Sequence, residues 1–166
     1  MDETAVIIAQ IAKHLRENGN YSRTLTHRSL YFILPKDERK ELYEAYNFGV
    51  YSPDVQRLLQ YLERNERDIH AWSSYMEEKS KDAISIFVDY LIDNYELKDL
   101  NYFSRLAYLL DSIENEQDLA KIKSIARVMG WKEIYRKKDD ELLKDIEEIK
   151  KIDNLYQKIL KELYDG

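Results

Sequence analysis

Apolar positions recur every three or four residues over most of the chain, the spacing that gathers side chains on one face of a helix. Ala5, Ile8, Ala12 and Leu15 predict a first helix over 3–16. Asn18-Gly19-Asn20 ends it, because Asn and Gly accept the left-handed conformation of a helix C-terminus. Residues 24–34 read as a second helix stopped by Pro35, and residues 36–41 as a short charged one. At Ser52-Pro53-Asp54 three helix-start signals coincide: a capping hydroxyl, a proline for the first turn and an acid at the positive end of the dipole. Val55, Leu58, Leu59 and Leu62 follow at i, i+3, i+4 and i+7, so a helix over 53–64 buries those four. It turns Gln56, Arg57, Gln60, Tyr61 and Arg64 outward.

Two stretches break the helical period. Residues 42–48 are aromatic enough to permit a short strand. In 65–78, Ile69, Ala71, Ser73 and Tyr75 alternate with His70, Trp72, Ser74 and Met76, which fits a β-ribbon or a loop and helix. From Ser80 onward the pattern is helical again. The stripes are Ile84, Phe87, Val88 and Leu91; then Phe103, Leu106, Ala107, Leu110 and Ile113; then Leu119, Ile122, Ala126 and Met129, with Gly130 as C-cap. A last helix over 140–164 repeats Leu142, Ile149, Tyr156 and Leu163 every seven positions, flanked by Ile146, Ile152, Ile159 and Leu160.

Only four Gly and two Pro occur in 166 residues, too few for a strand-rich fold with many tight turns. The expected class is mainly α: an N-terminal lobe over 1–78 with at most a small β-ribbon, and a helical bundle over 79–166 packed on it, with a long C-terminal helix. Lys and Glu are abundant and Cys is absent, a composition that suits heat-adapted proteins. No stretch has the character of a signal peptide or a membrane span, so the expected setting is cytoplasmic.

The formal net charge of −6 is unevenly spread. In 71–118 acids outnumber bases by 11 to 4, whereas 119–138 holds Lys121, Lys123, Arg127, Lys132, Arg136, Lys137 and Lys138 against Glu133 alone. Such a cluster either collects phosphates, releasing their counterions, or lies against the protein's own acids. Catalytic signals are sparse. His14, His27 and His70 lack metal-ligand spacing, no glycine-rich phosphate loop or nucleophile elbow occurs, and thiol chemistry is excluded. Of the acids Asp89, Asp93, Glu96 and Asp99, the first three would share a helix face and could hold Mg²⁺ or Mn²⁺ only if the helix ran unbroken through Asn94-Tyr95. No catalytic residue, metal, cofactor or small-molecule substrate is therefore expected.

The segment from Tyr21 to Arg64 resembles the prokaryotic YwgA-like winged-helix proteins. The resemblance is carried by Arg23-Thr24-Leu25-Thr26-His27-Arg28-Ser29-Leu30-Tyr31-Phe32, then by Tyr46-Asn47-Phe48-Gly49-Val50-Tyr51-Ser52 leading into the helix with Leu58, Leu59 and Leu62. It implies a winged-helix-like N-terminal lobe with 65–78 as the wing and 53–64 as the recognition helix. Gln56, Arg57, Gln60 and Arg64 would then read base edges in duplex DNA, and Tyr51 would touch a phosphate.

Two functions follow as expectations. One is a non-catalytic nucleic-acid-binding or regulatory protein using that helix and the basic segment 119–138. The other is a helical interaction subunit, binding a protein partner or a second copy through the Leu142, Ile149, Tyr156 and Leu163 face of the last helix. Fourteen Tyr against four Phe suit either, since Tyr joins a large apolar ring to a polar tip.

Overall fold

A computed structural model describes residues 2–166. The order of elements is α1 (Glu3–Glu17), α2 (Arg23–Ile33), α3 (Lys36–Leu42), β1 (Glu44–Tyr46), β2 (Gly49–Tyr51), α4 (Pro53–Arg64), α5 (Glu66–Ser73), α6 (Glu78–Asn94), α7 (Leu97–Asp111), α8 (Leu119–Met129), α9 (Lys132–Tyr135) and α10 (Asp139–Asp165). The fold is mainly helical, with one two-stranded antiparallel ribbon among the described residues.

The helix boundaries have local causes. Asp2 caps α1 by accepting the Thr4 amide at 3.0 Å. Ser22 caps α2 through the Leu25 amide, and Ser52 caps α4 through the Val55 amide, with Pro53 in the first turn as its pre-set φ allows. Asn18 closes α1 and Gly19 follows it at φ 71°; Gly130 closes α8 in the left-handed conformation at φ 76°. Glu96 and Asp99 form a reciprocal capping box that starts α7, so the chain turns between α6 and α7. That break separates Asp89 and Asp93 from Glu96, and Asp89 is occupied with His14 at 2.7 Å.

Helix α1 is the central element. Every residue from Ala5 to Ala12 is buried, a wider apolar surface than the four-residue stripe predicts, because α2, α4, α5 and α6 all pack on it. Helix α10 lies along α6, α7 and α2. One continuous core joins α1 and α2 to α6, α7 and α10, so packing runs across the boundary expected near residue 78. A buried ion triad reinforces it. The Arg39 guanidinium of α3, 4% exposed, donates to both carboxylate oxygens of Asp111 on α7 (2.7 and 2.9 Å) and of Asp153 on α10 (2.7 and 3.1 Å). It also lies over the Tyr31 ring at 4.7 Å. Burial opposes the charge of Arg39, but the bonds to Asp111 and Asp153 outweigh it and hold the guanidinium protonated.

Two expectations are corrected here. Residues 65–78 do not form a wing: Glu66–Ser73 is helix α5. Of the four residues alternating from Ile69 to Tyr75, only Ile69 and Ser73 are buried, at i and i+4, while Ala71 and Tyr75 are exposed. Glu66 and Asp68 in the first turn favour the helix through its dipole. The ribbon lies instead at Glu44–Tyr51, before α4, with Tyr46 opposite Gly49 across a two-residue turn. The second correction concerns α10. Leu142, Ile149 and Tyr156 are 0%, 1% and 8% exposed and Leu163 is half-buried, so the heptad face is spent inside this chain and is not free for a partner. The flanking Ile146, Ile152 and Ile159 make the stripe wider than a two-helix seam, which suits packing on several helices at once.

Candidate nucleic-acid interface

The ribbon β1–β2 is short, and neighbouring side chains hold its backbone in place. Three alternate carbonyls accept from the bundle. Trp131 Nε1, between α8 and α9, donates to the Tyr46 carbonyl at 3.1 Å. Arg105 Nη2 of α7 donates to the Phe48 carbonyl at 2.8 Å, and Arg28 Nη1 of α2 to the Val50 carbonyl at 2.6 Å. Gly49 takes φ 136°, a conformation L-residues rarely adopt, and a Cβ there would meet Arg105 Nε at 3.2 Å. Both arginines depend on this position of the ribbon.

Arg28 is 8% exposed and is held by neutral acceptors, the Val50 carbonyl and Asn101 Oδ1 at 2.7 Å. Among the described residues no carboxylate pairs with it. Burial lowers its pKa, and the nearby charge of Arg105 pushes the same way. A guanidinium remains charged at neutral pH regardless, so a positive charge with no ion-pair partner lies beneath the ribbon. Arg105 adds a second, shared with Glu133 of α9 at 2.9 Å.

An aromatic cluster sits above these cations. Phe48 is 62% exposed and stacks on Tyr46, with ring centroids 5.1 Å apart and planes 7° from parallel. Tyr51 meets both edge-on, at 5.9 and 5.7 Å, and stacks on His27 at 5.4 Å. His27 is buried, with Nε2 3.1 Å from Gln56 Oε1 and Nδ1 without a partner. Burial lowers its pKa to about 4, so at neutral pH it is an uncharged spacer between α2, β2 and α4.

The basic segment borders this cluster. Lys123 pairs with Asp139, and Lys137 with Asp145 while lying over the Tyr102 ring; these two cations are balanced within the chain. Lys121, Arg127, Lys132, Arg136 and Lys138 are exposed, and none makes an ion pair among the described residues. Arg127 and Arg136 both lie over Tyr135, at 5.1 and 5.8 Å from the ring centre. Lys132 sits between Trp131 and Glu133, the two residues that tie this segment to the ribbon. With Arg136 and Lys137 it lines an open groove of about 350 Å³ that Glu133 and Glu141 also border. The aromatic motif and the basic segment, about eighty positions apart in sequence, are thus joined through Trp131 and Arg105.

The face of α4 is less free than its sequence implies. Gln56 is half-buried against His27, and Arg57 pairs with Asp54 in the preceding turn. Tyr61 stacks on Trp72 at 5.6 Å and bonds to Asp68. Gln60 and Arg64 remain exposed. Tyr51 is half-buried within the aromatic cluster. Phe48, Tyr46, Arg28, Arg105 and Tyr135 are the surface's unforeseen members. The one local signal for Phe48 was a turn, Asn47-Phe48, directly before a glycine.

Elsewhere, a cleft of about 590 Å³ between the end of α1 and α5 holds Lys13, Arg16, Tyr21, Glu66 and His70. Arg16 there is already paired with Glu66 and stacked on Tyr21 at 4.9 Å. Among the described residues no group of three or more His, Asp or Glu side chains could hold a metal ion, and no helix is long and apolar enough to cross a membrane. No family model, no curated protein and no solved structure matches the chain.

Proposed function

We propose that this protein is a non-catalytic nucleic-acid-binding protein, regulatory in kind, whose contact surface is the ribbon β1–β2 together with α8 and α9. The observation that carries the reading is a set of five exposed cations without ion pairs, Lys121, Arg127, Lys132, Arg136 and Lys138, in the segment that Trp131 and Glu133 tie to the ribbon bearing the exposed Phe48. Clustered Lys and Arg bind phosphates by releasing counterions, a gain that an acidic net charge elsewhere on the protein weakens but does not abolish. The buried, carboxylate-free Arg28 and the half-shared Arg105 add to the local field. The resemblance to YwgA-like winged-helix proteins supports the reading through residues 21–64 only, where α2, the ribbon and α4 follow the order of that motif.

The test is fluorescence anisotropy with labelled single-stranded and duplex oligonucleotides, titrated with salt. Binding should weaken steeply as salt rises, and Lys132→Ala with Arg136→Ala should flatten the slope. No binding of either form at about 50 mM salt overturns the reading. The adaptor alternative has less to stand on. The helix face assigned to it is buried, and the exposed large apolar residues, Phe48, Tyr75, Ile86, Leu97, Val128 and Leu143 among them, are scattered over separate elements.

A further inference from the structure

Resting on that reading, the geometry points to a single-stranded nucleic acid as the ligand, one base stacking on Phe48 and the flanking phosphates falling on Lys132 and Arg136. Duplex readout needs a projecting helix or a wing with free polar side chains. Here the expected wing is helix α5, Gln56 is half-buried against His27 and Tyr61 is stacked on Trp72, which leaves Arg57, Gln60 and Arg64 as the exposed polar side chains of α4. A stacked aromatic pair calls for a different ligand. Tyr46 covers one face of Phe48 and Tyr51 meets its edge, yet the residue is still 62% exposed. Base faces are hidden inside a duplex and open in a single strand, where a base can extend such a stack regardless of sequence.

The support beneath the pair is rigid. The Tyr46, Phe48 and Val50 carbonyls are all bonded, so the platform is preformed and little ordering is needed on binding. The cationic segment is anchored to the platform at two points: Trp131 donates to the Tyr46 carbonyl, and Glu133 shares Arg105 with the Phe48 carbonyl, with Lys132 the residue between them in sequence. An aromatic platform beside a cationic track is the recurring solution for sequence-tolerant single-strand binding. Tyr135, bracketed by Arg127 and Arg136, holds the far end of that track in a fixed shape.

The experiment compares a labelled oligothymidine of about a dozen nucleotides with a duplex of the same length, by anisotropy at about 50 mM salt. The single strand should bind more tightly. Phe48→Ala should weaken it by about 5- to 150-fold, the range for losing one stacked base, and leave the salt slope intact. Phe48→Trp should restore binding, and both variants should keep the wild-type far-ultraviolet circular dichroism. Lys132→Ala with Arg136→Ala should lower the slope by about 1.4, two phosphates' worth for a single strand. Equal or tighter duplex binding with a silent Phe48→Ala overturns this inference and leaves the nucleic-acid reading standing. Polyglutamate competing as well as oligothymidine, with Phe48→Ala again silent, makes the surface a general polyanion or acidic-protein site and also overturns it. Failure to bind either oligonucleotide overturns both.

Discussion

Acidification should loosen this protein through His27 first. The ring is 4% exposed, stacked on Tyr51, edge-on to Tyr43 at 6.2 Å, and bonded to Gln56 by the nitrogen that carries its proton. A second proton would have to enter on Nδ1, which is buried with no acceptor, and the charge of Arg28 lies close by. Burial therefore lowers the pKa from 6.5 to about 4 in the folded protein. The sign follows directly. The unfolded chain binds a proton below about 6.5 and the folded one resists until about 4, so stability is full above the first value and is lost as pH falls between the two. With 1.36 kcal/mol for each unit of pKa difference, the loss approaches about 3 kcal/mol in total, and about 2 kcal/mol of it comes between pH 7.5 and pH 5. Urea denaturation of the wild type and of His27→Gln, at half-unit steps through this window, isolates the group, because the other titrating side chains are common to both. Wild type should lose about 2 kcal/mol relative to the variant. Parallel stability curves, differing by less than about 0.5 kcal/mol in slope across the window, would show that the imidazole is not desolvated as described. In the same window the His27 ring resonances should stay at their neutral positions.

Three further outcomes follow from the packing. Arg39→Met should cost about 3–5 kcal/mol in urea denaturation, since it leaves Asp111 and Asp153 facing each other without their cation; a loss under about 1 kcal/mol would mean that solvent reaches the triad. Glu63→Gln should remove about 1 kcal/mol of stability at neutral pH. Hydrogen bonds from Arg23 and Tyr21 hold the Glu63 pKa down at about 2, so this contribution is present above the ordinary carboxylate value and vanishes as pH falls toward 2; a wild-type advantage that persists at that pH would contradict it. Leu142→Ala should cost about 2–5 kcal/mol while the neighbouring Leu143→Ala stays within about 0.5 kcal/mol, and the reverse order would mean that α10 is rotated from its described face.

Most helices were legible because their signals are local. Ser52-Pro53-Asp54 starts α4 where expected, Gly130 ends α8, and the stripes Ile84-Phe87-Val88-Leu91 and Phe103-Leu106-Ala107-Leu110 lie in the core. The failures share a cause. In 65–78 a two-residue alternation left ribbon and helix both open, because with few apolar positions the period is ambiguous, and docking on α1 decided for helix. The heptad in α10 described an apolar face correctly and could not say what covers it. In α4, the polar residues face outward as predicted, but Gln56 and Arg57 are engaged by His27 and Asp54.

What the sequence alone determined is the mainly helical class and most of its elements: helix-forming residues, caps and few glycines act within a turn or two. What only the tertiary structure decided is which faces remain for solvent. The heptad face of α10 vanished into α6, α7 and α2. The basic segment divided into paired Lys123 and Lys137 and five unpaired cations. Phe48, one aromatic among many in the sequence, became the exposed end of a stacked pair because Trp131, Arg105 and Arg28, from three separate parts of the chain, hold the Tyr46, Phe48 and Val50 carbonyls of the ribbon. Contacts across such sequence distances leave no periodic trace, since each is a single hydrogen bond whose partner is set only once the helices have docked.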